Sequence, residues 1–430
     1  MTDTDNEIFF IRDEKSPILY APLIGFSARV NDDCAEAVKR KLDGEELPRD
    51  KAVLDYLASY GLFEKVELPE RDTAPPTEVT LFISDICNLR CVYCYAECGD
   101  KQHPMPLDTG KAAIDLVIRN AVKLNRDTAT IKFHGDGEPF TAFDILKELS
   151  EYARDKAKGN GISAHLTVVS NGFWSEDILA WVINEIDEVA ISFDGTKDIQ
   201  NTQRPTVSGA ESFSAVDRTL RELSRNNKCF GIKATVTAES AGKITDIAKH
   251  VSESYPECGW LQLEPVWNVG RYAGSDDPSE FFDRFINGFI SADRLYGDKI
   301  NIVYSTANID KICVCNCNVP NGQFIVTSRG TVTGCYEVFD YSDPRSDIFI
   351  YGRYDEVCGD FCFNDTKKEA LHRYTIDNIP YCKDCFCKYH CAGDCPAKLL
   401  GNKPAESFKG SKRCRITRAL TAYFIGKRLS

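Results

Sequence analysis

Between about residues 78 and 300 the chain alternates short β-branched runs with amphipathic helical patterns, and this alternation limits its fold more tightly than anything else. Candidate strands are Val79–Ser84, Thr130–His134, His165–Ser170, Val189–Phe193, Ile232–Thr237 and Trp260–Pro265. Between them, Asp108–Leu124 places Ile114, Val117, Ile118, Ala121 and Val122 on one stripe. Similar helical patterns run through Ile145–Lys158, Ala215–Asn226 and Ala241–Ser254. Strand–helix alternation at this spacing implies parallel strands joined by right-handed crossovers. Six such units predict an α/β fold, a partial (β/α)6 TIM-like barrel. Reactive groups in parallel barrels gather at the C-terminal strand ends. Polar clusters stand at those ends here: Cys87, Cys91 and Cys94 after the first strand, Gly135-Asp136-Gly137-Glu138-Pro139 after the second, Ser170-Asn171-Gly172 after the third and Asp194-Gly195 after the fourth. Glu264-Pro265 ends the sixth.

The net charge of −13 argues against nucleic acid or an anionic membrane as the main partner, because both reward basic surfaces. It is compatible with a neutral or basic peptide. Met1 to Glu7 is acidic and polar, unlike a secretory signal, and no apolar run reaches the ~18 residues that span a bilayer. A cytoplasmic location is therefore expected. That compartment keeps thiols reduced, so the nineteen cysteines are not a disulfide framework. Twelve of them lie between Cys313 and Cys414, and metal ligation explains such crowding better.

Cys87, Cys91 and Cys94 form a C-x3-C-x2-C triplet. Three thiolates at this spacing can hold three irons of a four-iron cube and leave the fourth without a protein ligand. A zinc knuckle is the competing reading. With Tyr93 just before its last cysteine, the triplet resembles the signature of radical S-adenosylmethionine (radical SAM) enzymes. The resemblance implies a 4Fe-4S cluster whose open iron chelates the amino and carboxylate groups of SAM. An electron, supplied by a reductant such as flavodoxin or ferredoxin, then cleaves SAM to a 5′-deoxyadenosyl radical. Gly135–Pro139 resembles the family's Gly-Gly-Glu-Pro motif in the form G-x-G-E-P. It implies that Gly135, Gly137 and Glu138 lie beside the SAM ammonium, with support of the loop as the other role for Glu138. Ser170, Asn171 and Gly172 resemble the family's T-N-G element near the ribose and carboxylate, and Ser192 with Asp194 and Gly195 resembles its S-L-D-G run. Arg204 is the candidate partner of the SAM carboxylate, against a plain salt bridge, since a guanidinium forks two donors onto such a group. Tyr93 packs against adenine or simply within the barrel. Glu264-Pro265-Val266 and Gly270-Arg271 resemble a late barrel motif to which no role is given.

A second spacing runs Cys317-x12-Gly330-x4-Cys335, then Cys382-x2-Cys385-x5-Cys391-x3-Cys395-x18-Cys414. It resembles the SPASM domain, which holds two auxiliary 4Fe-4S clusters in radical SAM enzymes acting on peptides and proteins. The resemblance implies three clusters in all. One auxiliary cluster would use Cys317, Cys335, Cys395 and either Cys313 or Cys315; the other would use Cys382, Cys385, Cys391 and Cys414. A four-thiolate zinc site at Cys382, Cys385, Cys391 and Cys395 is the alternative. Cys34, Cys98, Cys229, Cys258, Cys358, Cys362 and Cys387 fall outside both patterns and read as small hydrophobes.

Residues 1–72 end in the turn-rich linker Arg71-Asp72-Thr73-Ala74-Pro75-Pro76-Thr77. They read as strands at Ile8–Ile11, Ile18–Ala21 and Ser27–Val30, then helices at Cys34–Leu42 and Lys51–Tyr60. Lys41-Leu42-Asp43-Gly44 followed by Leu57-Ala58-Ser59-Tyr60-Gly61-Leu62 is similar to winged-helix, PqqD-like domains that capture leader peptides by strand addition. Buttressing of the barrel is the alternative. Three domains are thus expected: 1–72 winged-helix-like, 78–300 radical SAM barrel and 301–430 SPASM. The expected function is maturation of a ribosomally made precursor peptide, recognised through its leader, giving a cross-link, thioether, epimer or oxidised residue. An anaerobic sulfatase maturase is the second reading. That group places an acidic base directly after the cysteine of the G-x4-C element, where this chain has Tyr336 and then Glu337. A multi-cluster electron carrier is the third.

Overall fold

The computed structural model describes residues 3–12, 15–68, 73–99, 103–275, 278, 280–399, 403 and 405–430. The linker residues Arg71 and Asp72 lie outside these. The chain forms two compact units: Met1–Asp72 with Ser305–Cys317 and Tyr374–Ser430, and Thr73–Tyr304 with Asn318–Arg373. The segment 301–430, expected as one domain, is divided between the two.

The first unit begins with β1 (Asp3–Asp5), β2 (Phe9–Ile11), β3 (Ile18–Ala21), β4 (Phe26–Arg29), α1 (Asp32–Leu42), α2 (Lys51–Ala58) and β5 (Lys65–Glu67). β2, β3 and β4 make an antiparallel sheet with β3 at its centre, and β1 pairs with β5. The central strand is buried along its whole length. The Asn31 side chain caps α1 by accepting from the Cys34 N–H at 2.9 Å. Asp32 and Asp33 in its first turn and Lys39, Arg40 and Lys41 in its last complement the helix dipole. Leu19, Ala21, Ala37, Val38, Leu54, Leu57 and Leu62 form the core between sheet and helices.

The second unit is built on β6 (Glu78–Phe82), α3 (Leu107–Lys123), β7 (Thr128–His134), α4 (Phe143–Gly159), β8 (Ser163–Ser170), α5 (Glu176–Glu185), β9 (Glu188–Ser192), α6 (Lys197–Gln203), α7 (Phe213–Arg225), β10 (Phe230–Val236), α8 (Ile244–Ser254), β11 (Trp260–Pro265), α9 (Phe281–Tyr296) and β12 (Asn301–Val303). β6 to β12 pair in sequence order, all parallel, and the six expected strands are among them. Val79 to Phe82 are buried without alternation, as a strand covered on both faces requires. Three further helices of this barrel, α5, α6 and α9, and the short β12 carry it past the patterns read from sequence. On the far side of β6, β13 (Ile325–Val326) adds in parallel. β14 (Thr331–Thr333), α10 (Ser346–Phe349), β15 (Ile350–Asp355), β16 (Asp360–Phe363) and α11 (Asp365–Leu371) follow, and the three strands extend the sheet antiparallel.

The first unit is completed by α12 (Lys388–Cys391), α13 (Pro396–Leu399) and α14 (Lys412–Arg428). Ile425 of α14 packs with Ile11, Ile18 and Tyr20. Among the described residues no helix is long and apolar enough to cross a membrane.

Candidate active site

The loop after β6 carries Cys87, Cys91 and Cys94, and its neighbours fix it through backbone atoms. The Glu138 N–H donates to Ile86 O at 2.7 Å, so the loop after β7 lies directly against it. Gly137 is required there: a Cβ at that position would stand 2.3 Å from Ile86 O and 2.5 Å from Ser84 O. On another side, Arg90 N donates to Pro205 O at 2.7 Å and Val92 N to Gln203 O at 2.9 Å. On a third, Arg271 N donates to Cys94 O at 3.0 Å, its Nη1 to Cys91 O at 3.3 Å and its Nη2 to Cys98 O at 2.5 Å. Gly270 has φ +55°, and a Cβ there would meet Cys94 O at 2.3 Å. Gly270-Arg271, which carried no role in the sequence, is thus a clamp on the cysteine loop.

Polar side chains from successive strand ends converge on this loop. Asn171 donates from Nδ2 to Asn88 Oδ1 at 2.7 Å and approaches Cys87 Sγ at 3.9 Å. Its N–H donates to Glu138 Oε2 at 2.8 Å, while Ser170 Oγ donates to Glu138 Oε1 at 2.6 Å. Burial pushes the Glu138 carboxyl up to about 7, against the lowering effect of bonds from Ser170, Asn171, Phe140 and Trp174. Glu138 therefore ties the loops after β7 and β8 together. Gly135 O accepts from Tyr95 Oη at 3.2 Å. Ser192 ends β9, half-buried.

Asp194 is the hub of the next strand end, fully buried. It accepts from Gln203 Nε2 at 2.7 Å, from Thr235 N at 2.9 Å, from Tyr93 Oη and from Arg204 Nη2 at 3.2 Å, and it is ion-paired with that guanidinium, whose Nε lies 3.0 Å away without forming a hydrogen bond. Arg204 stacks over the Tyr93 ring at 5.2 Å from its centroid and directs Nη1 to Cys91 Sγ at 3.9 Å. Burial alone lowers the Arg204 guanidinium, but the Asp194 carboxylate overrides it and holds the group above its ordinary range. One arm of the fork expected for a ligand carboxylate, Nη2, is therefore already hydrogen-bonded to Asp194. Nothing in the sequence marked Asp194 as their anchor.

The donor set fits an iron–sulfur group: three thiols on one loop at the C-terminal end of β6. Burial pushes Cys91 up to about 12, whereas a hydrogen bond from Cys98 brings Cys94 down to about 6 and also lowers Cys87. No three His, Cys, Asp or Glu side chains among the described residues surround a point where a single metal ion would sit. A cube, by contrast, is held from separate corners.

Two open clefts in the second unit adjoin the loop, with empty volumes of about 770 and 750 Å³. They share Ala96, Glu97, Phe339 and Asp340. Glu337 lines one of them, 3.7 Å from Arg345. Tyr336 is instead packed with Phe82 and His134 and bonds Thr80 Oγ1 at 3.1 Å.

In the first unit Cys382, Cys385, Cys391 and Cys414 line one cavity with an empty volume of about 340 Å³, together with Cys387 and Arg418. Cys385 is brought down to about 5 by a bond from Cys387, aided by Arg418 against burial, while burial pushes Cys382 up to about 12. Cys313, Cys315, Cys317 and Cys395 also belong to the first unit, and Cys335 to the second. Cys313 N donates to Tyr389 O at 2.9 Å, and Cys317 holds a left-handed φ of +63°. In the second unit Cys335 Sγ accepts from Glu337 N at 3.4 Å.

Residues 81–237 match the family model described as the Radical SAM superfamily. A cysteine-type anaerobic sulfatase-maturating enzyme from Clostridium perfringens is 24% identical over 328 residues, 72% of this chain and 85% of that protein. Among solved structures, anSMEcpe with bound AdoMet superposes with a TM-score of 0.65 at 20% identity, covering 82% of this chain and 94% of that one. SuiB of Streptococcus suis bound to precursor peptide SuiA gives 0.56 at 14% identity, covering 96% and 99%. At these identities the structures are alike in fold.

Proposed function

We propose that this chain, a radical SAM enzyme whose residues 81–237 belong to that superfamily, is a peptide maturase that abstracts hydrogen from a ribosomally made precursor. The observation that carries this reading is the thiol triplet at the C-terminal end of β6, with Asn171 and Arg204 each 3.9 Å from one of its sulfurs. When bound, the cluster and SAM supply a 5′-deoxyadenosyl radical. The chain's own residues do the rest. Cys87, Cys91 and Cys94 hold three iron corners. Gly137, Glu138 and Asn171 fix the wall on which SAM rests, and Ser170 fixes that wall from behind. Asp194 holds Arg204 and Tyr93 in one orientation, so neither reorganises when SAM arrives. The clefts beside Ala96 and Glu97 admit a peptide strand.

Two auxiliary clusters complete the reading, one of them held by Cys382, Cys385, Cys391 and Cys414. They accept the electron left on an oxidised substrate. A flavodoxin or ferredoxin supplies the first electron in the cytoplasm. Residues 1–72 receive the leader; the fold likeness to SuiB, solved with its precursor peptide SuiA, supports this.

Anaerobic sulfatase maturation is the second reading, favoured by the sequence likeness to the Clostridium perfringens enzyme and by Glu337. That carboxylate lines the cleft one residue beyond the position such a base would hold. Oxidation of a Cys-x-x-x-Arg peptide by the reduced, anaerobic protein would select this reading.

The test is 5′-deoxyadenosine production after dithionite reduction, with co-expression of short neighbouring reading frames and mass measurement of each peptide. Loss of two hydrogens marks a new ring or double bond. Replacing Cys87, Cys91 and Cys94 together by Ala is expected to remove about four of about twelve irons and to abolish SAM cleavage. Unchanged iron content would refute the triplet assignment.

A further inference from the structure

We propose that Cys98 is a displaceable fourth thiolate for the iron corner that Cys87, Cys91 and Cys94 leave open. The inference rests on the reading that the triplet holds a four-iron cube. In the sequence Cys98 belongs to neither spacing pattern. In the structure it belongs to the same constellation: its Sγ lies 3.7 Å from Cys94 Sγ, on the loop that carries all three triplet thiols. Cys94 serves one corner, so a thiol lying against it stands where it can turn to a neighbouring open one.

The backbone brings Cys98 back to the triplet by two separate arginines. Arg90 donates from Nη1 to Cys87 O at 2.9 Å and from Nη2 to Gly99 O at 3.1 Å, joining the two ends of the loop. Its guanidinium fills the space beside Gly99 so closely that a Cβ there would stand 2.3 Å from Cζ. Arg271 donates to Cys94 O, Cys91 O and Cys98 O. Both triplet and Cys98 thus hang on the same pair of cations. The Cys98 side of the loop also lines the cleft with Asp85 and Asp136, where an arriving ligand meets it.

The step is a ligand exchange without redox change. One iron–sulfur bond breaks and the Cys98 sulfur leaves with its electron pair; it takes the proton that the SAM ammonium gives up, and the resulting amino group and the carboxylate of SAM take the iron. Before SAM arrives, the thiolate keeps the iron from solvent and oxidant.

The full-length protein, reconstituted anaerobically and free of SAM, is compared with Cys98→Ala and with Cys98→Ser, which preserves the side-chain volume. Each is treated with ferricyanide and examined by EPR, and SAM affinity is measured by equilibrium binding. A cube with an open corner loses that iron on oxidation and gives the signal of a three-iron cluster. The wild type is expected to resist this; both variants are expected to give the signal and to bind SAM several-fold more tightly, since no thiolate must be displaced. Equal three-iron signals in wild type and variants, or equal SAM dissociation constants, would overturn the assignment. If the triple Ala variant loses about four irons while Cys98→Ala behaves as wild type, only Cys98 is misassigned; if the triple variant loses none, the reading beneath it fails.

Discussion

Replacing Asp194 by Asn is expected to destabilise the barrel by ~3–5 kcal/mol, the cost of leaving a buried charge without its partner. The magnitude follows from the surroundings. Asp194 is fully buried and Arg204 is 7% exposed, so water cannot stand in for the missing carboxylate. Asn keeps one acceptor oxygen but turns the other into a donor, facing the N–H groups of Gln203 or Arg204 that now reach 2.7 and 3.2 Å. That second loss, ~1–3 kcal/mol for an unsatisfied buried polar group, overlaps with the first and does not simply add. All four tryptophans, Trp174, Trp181, Trp260 and Trp267, lie in the second unit, so tryptophan fluorescence follows that unit alone. At ~2 °C per kcal/mol for a unit of this size, its anaerobic melting temperature should fall by about 6–10 °C. Adding Arg204→Gln should recover part of the loss. A fall below about 2 °C, or strictly additive effects in the double variant, would refute the buried-pair argument.

Glu138→Gln should flatten the pH dependence of the same transition. The Glu138 carboxyl, raised by burial from 4.5 to about 7, binds its proton more tightly in the folded state. Its contribution is therefore complete below about pH 4.5 and is lost as pH rises to about 7, a change of about 3 kcal/mol. Fluorescence-monitored unfolding of both proteins across that window checks it, and parallel curves would dismiss the linkage. Gly270→Ala should lower occupancy of the barrel cluster while sparing the auxiliary irons, because its Cβ would meet Cys94 O at 2.3 Å in a left-handed backbone. Unchanged iron content and SAM cleavage would show that the clamp is dispensable.

The barrel was legible because a strand buried on both faces and a one-sided helix leave different periods in the sequence. Expected Thr130–His134 and Asp108–Leu124 became Thr128–His134 and Leu107–Lys123. β12 and β13, with three and two residues, are too short to leave any period. β13 joins β6 through the register Ile325↔Thr80, a pairing across most of the chain that no local pattern announces. The long stripe of α9, with Phe281, Phe285 and Phe289 on one face, was readable but lay beyond the last strand recognised.

The site was legible in its thiols and in the order of its loops, since cysteine spacing and Gly–Glu–Pro turns are local. Its electrostatics were not. Arg204 was identified from its chemistry as a fork for a ligand carboxylate, yet its Nη2 is hydrogen-bonded to Asp194 and its guanidinium is ion-paired with that carboxylate. What Arg204 offers inward is a stacked face over Tyr93 and one arm toward Cys91. A positive group held at that sulfur would favour the more negative, reduced form of a cluster there, and because Asp194 already fixes it little side-chain entropy would be lost in doing so. Held in this way by a neighbouring carboxylate, Arg204 faces the thiolate side of the site with Nη1.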